Sequence, residues 1–118
     1  MNEPLRPRHD VFQAVADGTR RQIMRMLADE DLPIKTIASH FPITRTAVNK
    51  HLHVLSEAGL VSSRRVGRET RYKLQAQPLV EIRQWMSFYE RYWDENLEAL
   101  RNYVEKDEEK ELNRDKKR

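Results

Sequence analysis

The sequence predicts a mostly α-helical domain carrying one small β-hairpin, in the order α-α-α-α-β-β-α. Three observations carry that prediction. Before residue 59, four short stretches repeat their apolar residues at helical spacing and are parted by Gly, Pro or Asp. Two runs, 60–66 and 70–74, favour strand and flank a glycine. From Gln77 to about residue 106, apolar residues recur three and four apart, which predicts one long helix.

The first helix rests on Val11, Phe12, Val15 and Ala16, starting near His9. Asp17-Gly18-Thr19 breaks it, and Asp17 caps a second helix whose stripe is Ile23, Met24, Leu27 and Ala28. Asp29-Glu30-Asp31 closes that stretch. Pro33 opens a third, with Ile34, Ile37, Ala38 and Phe41 on one face, and Pro42 ends it because the residue before proline disfavours helix. Thr44 then suits an N-cap. The helix that follows to Ala58 buries Ala47, Val48, Leu52 and Leu55, and Gly59 stops it. The hairpin strands LVSSRRV and TRYKL are joined through Gly67-Arg68-Glu69. Gln77-Pro78 starts the last helix, with Leu79, Ile82, Met86, Tyr89, Trp93, Leu97, Leu100 and Val104 on its seam.

Length and composition bound the function. A chain of 118 residues holds one domain, with residues 1–8 as a flexible arm, 9–106 as the domain and 107–118 as a charged, disordered tail. There is no cysteine, so disulfides, thiolate metal sites and cysteine nucleophiles are out. No apolar run is long enough for a membrane span, and the N-terminus lacks a signal-peptide core, which predicts a cytoplasmic protein. No glycine-rich phosphate loop or His–acid arrangement supports an enzyme. No catalytic residue and no cofactor are predicted.

The net charge of +3 is unevenly spread. Residues 1–42 balance, residues 43–75 hold seven Lys/Arg against two acids, and residues 76–118 hold nine against eleven. A basic middle segment suits a polyanion, because neutralised phosphates release counterions. The same segment holds two short helices joined by a tight turn at Phe41–Thr44. With Ala47 and Val48 turned inward, Thr44, Arg45, Thr46, Asn49, Lys50 and His51 remain outside. These side chains suit double-stranded DNA: Arg pairs with guanine, Asn with adenine, and Thr and Lys with phosphates or bases. No acid lies between Pro33 and Leu55. Arg64, Arg65, Arg68, Arg71 and Lys73 make the hairpin a basic wing for flanking phosphates or the minor groove.

Together these markers resemble the ArsR/SmtB-type winged helix-turn-helix repressors. The resemblance covers about residues 10–104. It rests on Val11-Phe12-Gln13-Ala14-Val15-Ala16-Asp17-Gly18-Thr19-Arg20-Arg21, on Thr44-Arg45-Thr46-Ala47-Val48-Asn49-Lys50-His51-Leu52, and on Val54-Leu55-Ser56-Glu57-Ala58-Gly59-Leu60-Val61 followed by the hairpin. Gly18 stands where the family often has proline, and Pro42 where the turn often has glycine. The resemblance implies a homodimer that binds an operator through recognition helix 44–58 and wing 60–74, and that a signal releases. Many members sense metals through a Cys-x-Cys element on the third helix. Here Pro33 and Lys35 take those positions, and neither is a ligand. His9, His40, His51 and His53 are the only histidines, none on the last helix. His51 and His53 lack the i, i+4 spacing of a helical pair, so no metal site is predicted.

The last helix carries six of the nine aromatic residues: Trp85, Phe88, Tyr89, Tyr92, Trp93 and Tyr103. A small domain cannot cover such a helix alone. The expected partner is a second copy, through helix 77–106 (Leu79, Ile82, Met86, Tyr89, Trp93, Leu97 and Leu100) with Val11, Phe12 and Val15 of the first helix. Trp85, Phe88 and Tyr92 lie off the seam, and are candidates for a ligand or a protein partner. Two alternatives stand beside the repressor. One is a winged-helix module that docks proteins through the aromatic helix, and the other a repressor answering an unrecognised metal or small molecule.

Overall fold

A computed structural model describes residues 9–116, so the arm expected at 1–8 lies outside the described residues. The elements are α1 (Val11–Val15), α2 (Gly18–Asp29), β1 (Leu32–Pro33), α3 (Ile34–Ser39), α4 (Arg45–Glu57), β2 (Val61–Val66), β3 (Glu69–Leu74), α5 (Leu79–Ser87) and α6 (Glu90–Lys116). The chain divides between Ile82 and Arg83 into two compact units.

In the first unit, side-chain caps set the helix starts. Asp10 accepts from the Gln13 N–H while the Gln13 side chain accepts from the Asp10 N–H, a complete capping box for α1. Asp17 accepts from Arg20 N–H at the head of α2, and Thr44 from Ala47 N–H at the head of α4. Each cap satisfies an N–H that the first turn otherwise leaves without a partner. The apolar stripes then meet. Val11, Ala14, Ile23, Leu27, Ile37, Val48, Leu52, Leu55, Leu60 and Val61 form one buried core drawn from α1 to α4 and β2. Val11, expected at a dimer interface, is 3% exposed and packs in this core. Phe12, Val15, Leu79 and Ile82 are half-buried against the same core.

Gly59 ends α4 with φ +75°. Leu60 N–H donates to Leu55 C=O at 2.9 Å and Gly59 N–H to Ser56 C=O at 3.0 Å, the paired bonds of a Schellman stop. That turn places Leu60 in the core and starts β2. A Cβ on Gly59 meets Pro78 Cγ at an ordinary 3.5 Å, so the penalty for a side chain lies in the backbone. Gly59→Ala is therefore expected to lower stability by about 1–2 kcal/mol, read as a shift in the urea midpoint.

The sheet order is β1-β3-β2, antiparallel throughout. The β2–β3 register runs from Val61↔Leu74 to Val66↔Glu69. The connecting turn is thus Gly67-Arg68 alone, one residue shorter than the sequence predicted. Gly67 has φ +64° and Arg68 does not share it, the pattern of a type II′ hairpin turn. β1 is an addition to the predicted order: Leu32 pairs with Tyr72 and Pro33 with Arg71. Proline fits there because β1 is an edge strand.

The predicted single helix from Gln77 is two helices. Ser87 Oγ donates to Gln84 C=O at 2.7 Å, and Phe88 and Tyr89 N–H reach back only three residues, to Trp85 and Met86. The tightened turn closes α5, and α6 starts at Glu90. Within the second unit α6 is helical through Lys116, so the stretch from Asp107, expected to be disordered, continues the helix. Its Glu and Lys residues are good helix formers. No helix among the described residues is long and apolar enough to cross a membrane.

Candidate nucleic-acid interface

α3, a turn over 40–44 and α4 make the helix-turn-helix. Val48, Leu52 and Leu55 bury one face of α4, and Arg45, Thr46, Asn49 and Lys50 lie exposed on the rest. Thr44 is exposed, with its hydroxyl oxygen committed to the Ala47 cap at 3.1 Å. Among the described residues no hydrogen bond or ion pair engages the side chains of Arg45, Thr46, Asn49 or Lys50. Their polar groups stand ready for an external partner.

His51 is placed differently from its neighbours. Its side chain is 23% exposed, with Nδ1 3.3 Å from Arg20 Nη1 and 3.8 Å from Asp17 Oδ2. A guanidinium only donates, so Nδ1 accepts and the ring proton sits on Nε2. Arg20 also donates through Nε to Ala14 C=O at 2.7 Å and through Nη2 to Gln13 C=O at 3.1 Å. One side chain thus joins the end of α1 to the middle of α4. The Arg20 N–H holds the Asp17 carboxyl below the usual aspartate range, and the Arg20 charge acts in the same direction. At the other end of α4, Glu57 Oε2 accepts from His9 Nδ1 at 2.8 Å, and His53 Nε2 lies 2.8 Å from Glu57 Oε1. The His9 hydrogen bond, with His53 beside it, lowers the Glu57 pKa.

The wing cations divide into two groups. Arg64 and Arg71 face each other across the β2–β3 ladder, a like-charge pair that alone opposes pairing. Asp31 lies against both: Arg64 Nη2 donates to its carboxylate at 3.5 Å, and Arg71 Nη2 to its C=O at 3.2 Å. Arg71 also reaches Glu69 Oε2 at 3.5 Å and is half-buried. Arg71 therefore fastens the wing to the α2–β1 connection. Arg65, Arg68 and Lys73 are exposed and meet no acid among the described residues.

Between the turn of the wing and the two helices lies a cleft of about 200 Å³, lined by Pro33, Ile34, Lys35, Arg45, Arg68, Glu69 and Thr70. The β1–β3 pairing creates it by drawing the start of α3 to the wing. Sequence reasoning grouped Arg45 and Arg68 but missed Lys35, considered only as a failed metal ligand. The available signal was its outward place in a stretch without acids.

In the second unit, Met86, Tyr89, Trp93, Leu97 and Leu100 are exposed, as are the off-seam Trp85, Phe88 and Tyr92. Tyr89 packs edge-on to Trp85 at 5.5 Å and to Phe88 at 5.1 Å between ring centroids. Pro33 and Lys35 carry no thiolate, imidazole or carboxylate to hold a metal. Among the described residues no three His, Asp or Glu side chains are grouped to hold one.

This geometry defines a winged helix-turn-helix regulator. A helix-turn-helix domain family matches residues 15–64. The transcriptional repressor SdpR of Bacillus subtilis is 35% identical over 78 residues, which are 66% of this chain and 87% of SdpR. An ArsR-like transcriptional regulator from Rhodococcus sp. RHA1 superposes with a TM-score of 0.64 at 34% identity, over 81% of this chain and 88% of that one. A homodimeric winged helix-turn-helix DNA-binding domain from Mycobacterium bovis gives 0.54 at 28% identity, over 75% and 80%. The chain belongs to the ArsR/SmtB-type winged helix-turn-helix transcriptional regulators.

Proposed function

We propose that the chain is a homodimeric repressor that binds operator DNA without sensing a transition metal. Each α4 enters a major groove, with Thr44, Thr46, Asn49 and Lys50 toward bases and phosphates, while the wing meets the flanking backbone through Arg64, Arg65 and Arg68. The observation that carries this reading is the α4 face. It presents donors and a cation with no partner among the described residues, on a helix whose opposite face is buried. Arg71 and His51, engaged by Asp31 and Arg20, act by holding the wing and α4 in place. The homodimeric Mycobacterium bovis domain supports a twofold assembly, and the exposed seam of α5 and α6 supplies a surface for it. The protein acts in the cytoplasm, where its operator lies.

A second reading attaches to the off-seam aromatics. Phe88 and Tyr92 are 80% and 62% exposed and lie off the seam spacing, and this favours a protein or small-molecule effector at that end of the helix.

The test is fluorescence anisotropy with DNA from upstream of the protein's own gene and a scrambled duplex, titrated with salt in the presence of chelator. Tight, preferential binding under chelation is expected. Zinc-dependent release reversed by chelator would overturn the metal-independent reading, and equal weak binding to both duplexes would overturn operator recognition at this sequence.

A further inference from the structure

We propose that the cleft between α3, α4 and the wing is a seat for one DNA backbone phosphate, with Lys35, Arg45 and Arg68 as its cations. The inference rests on the DNA-binding reading and adds to it a residue outside both helix 44–58 and the wing. Three side chains from three separate elements line one small cavity: Lys35 near the start of α3, Arg45 in the first turn of α4, and Arg68 at the hairpin turn. Among the described residues none of them meets an acid outside this cleft, and none has its donors occupied by a hydrogen bond. Like charges gathered this way repel one another unless an anion sits among them.

The fourth charge defines the occupant. Glu69 lines the same cleft, with Oε2 at 3.5 Å from Arg71 Nη1. Three cations and one carboxylate leave the wall with a charge of about +2, which suits the single charge of a phosphodiester. Thr70 adds a hydroxyl. Pro33 and Ile34 complete the lining. A cleft of about 200 Å³ takes one phosphate with its sugar edge, but no base pair. Arg45, whose residue type suits guanine, is thereby assigned to the backbone, and base reading falls to Thr46, Asn49 and Lys50. The seat joins wing and recognition helix through one phosphate, so it fixes the register of one against the other.

The full chain carrying Lys35→Gln, Arg45→Ala or Glu69→Gln is compared with wild type by anisotropy on upstream and scrambled duplexes, across a salt series. Lys35 is exposed, so its replacement does not threaten folding. Lys35→Gln is expected to weaken both duplexes equally, about three- to tenfold, and to lower the slope of log K against log salt by about one. Glu69→Gln is expected to tighten both. A single methylphosphonate, walked along the duplex, should reveal one position that weakens wild type but not Lys35→Gln. Inorganic phosphate at matched ionic strength tests the other source of the anion. Phosphate displacing DNA from wild type no better than chloride fits a backbone seat, and specific displacement overturns it in favour of a free anion. Steep salt dependence in wild type with an unchanged slope in Lys35→Gln would overturn the seat and leave DNA binding standing. Arg45→Ala weakening only the upstream duplex would overturn Arg45 as its second cation. Wild type with no salt-dependent binding would overturn the DNA reading itself.

Discussion

Replacing Leu97 and Leu100 together by Glu is expected to give a folded monomer whose operator affinity is lower by about 10²–10⁴-fold. Trp93, Leu97, Leu100 and Val104 follow one another by steps of four, three and four, so they form one stripe along α6. All four are exposed in the single chain, Leu97 at 60% and Leu100 at 65%. Neither leucine belongs to the core of the first unit, so that unit keeps its packing. Burying a leucine side chain is worth about 1.5–3 kcal/mol, and a carboxylate on a twofold seam also carries a desolvation cost. Two half-sites bound by linked subunits gain from the second binding event being intramolecular, and a monomer forfeits that gain. Sedimentation should show the mass halved, with far-UV circular dichroism close to wild type. Asn102→Glu, on the opposite face of the same helix, should leave mass and affinity unchanged. A double variant that stays dimeric would place the dimer interface elsewhere.

Local chemistry made much of this fold legible in sequence. The caps at Asp17 and Thr44 and the stop at Gly59 are each set by residues within a few positions and stand where the sequence put them, whereas α3 ends at Ser39, three residues before Pro42. The misses have a common cause. β1 is two residues long and exists because Tyr72 and Arg71 lie beside it, a contact about forty residues away in the chain. No periodicity can announce so short a strand. The α5–α6 break depends on one hydroxyl taking a carbonyl, while the apolar spacing runs through it undisturbed. The stretch from Asp107 was read from charge density as disordered, yet its residue types also favour helix.

The interface divides the same way. Which α4 residues face out followed from helical spacing, and Arg45, Thr46, Asn49 and Lys50 are indeed exposed. Which cations remain available did not follow, because that depends on long-range partners. Arg71 is taken by Asp31 and His51 by Arg20, pairs forty and thirty-one residues apart. Lys35 was missed because its setting comes from the same short strand that the sequence did not reveal.

Arg20→Ala is expected to cost about 2–3 kcal/mol of stability in the first unit. α1 is only five residues long, and a helix that short leaves most of its carbonyls without intrahelical partners. Arg20 supplies two charge-assisted bonds to the carbonyls of Gln13 and Ala14, and such bonds are worth about 1.5–3 kcal/mol each before solvent exposure is discounted. Arg21 adds one at 2.8 Å to Val15 C=O from an exposed position, so Arg21→Ala should cost well under half as much. Arg20→Lys should recover little, because an ammonium cannot span two carbonyls and the His51 ring with one planar fork. Urea denaturation measures the order Ala ≈ Lys < wild type. The signature that separates this role from ordinary packing is the His51 imidazole. Its ¹⁵N shifts should report a single Nε2–H tautomer in wild type and a mixture in Arg20→Ala, because no other donor reaches Nδ1 among the described residues. An Arg20→Ala variant within about 0.5 kcal/mol of wild type, or a fixed His51 tautomer without Arg20, would show that α1 is held to α4 by its apolar face alone.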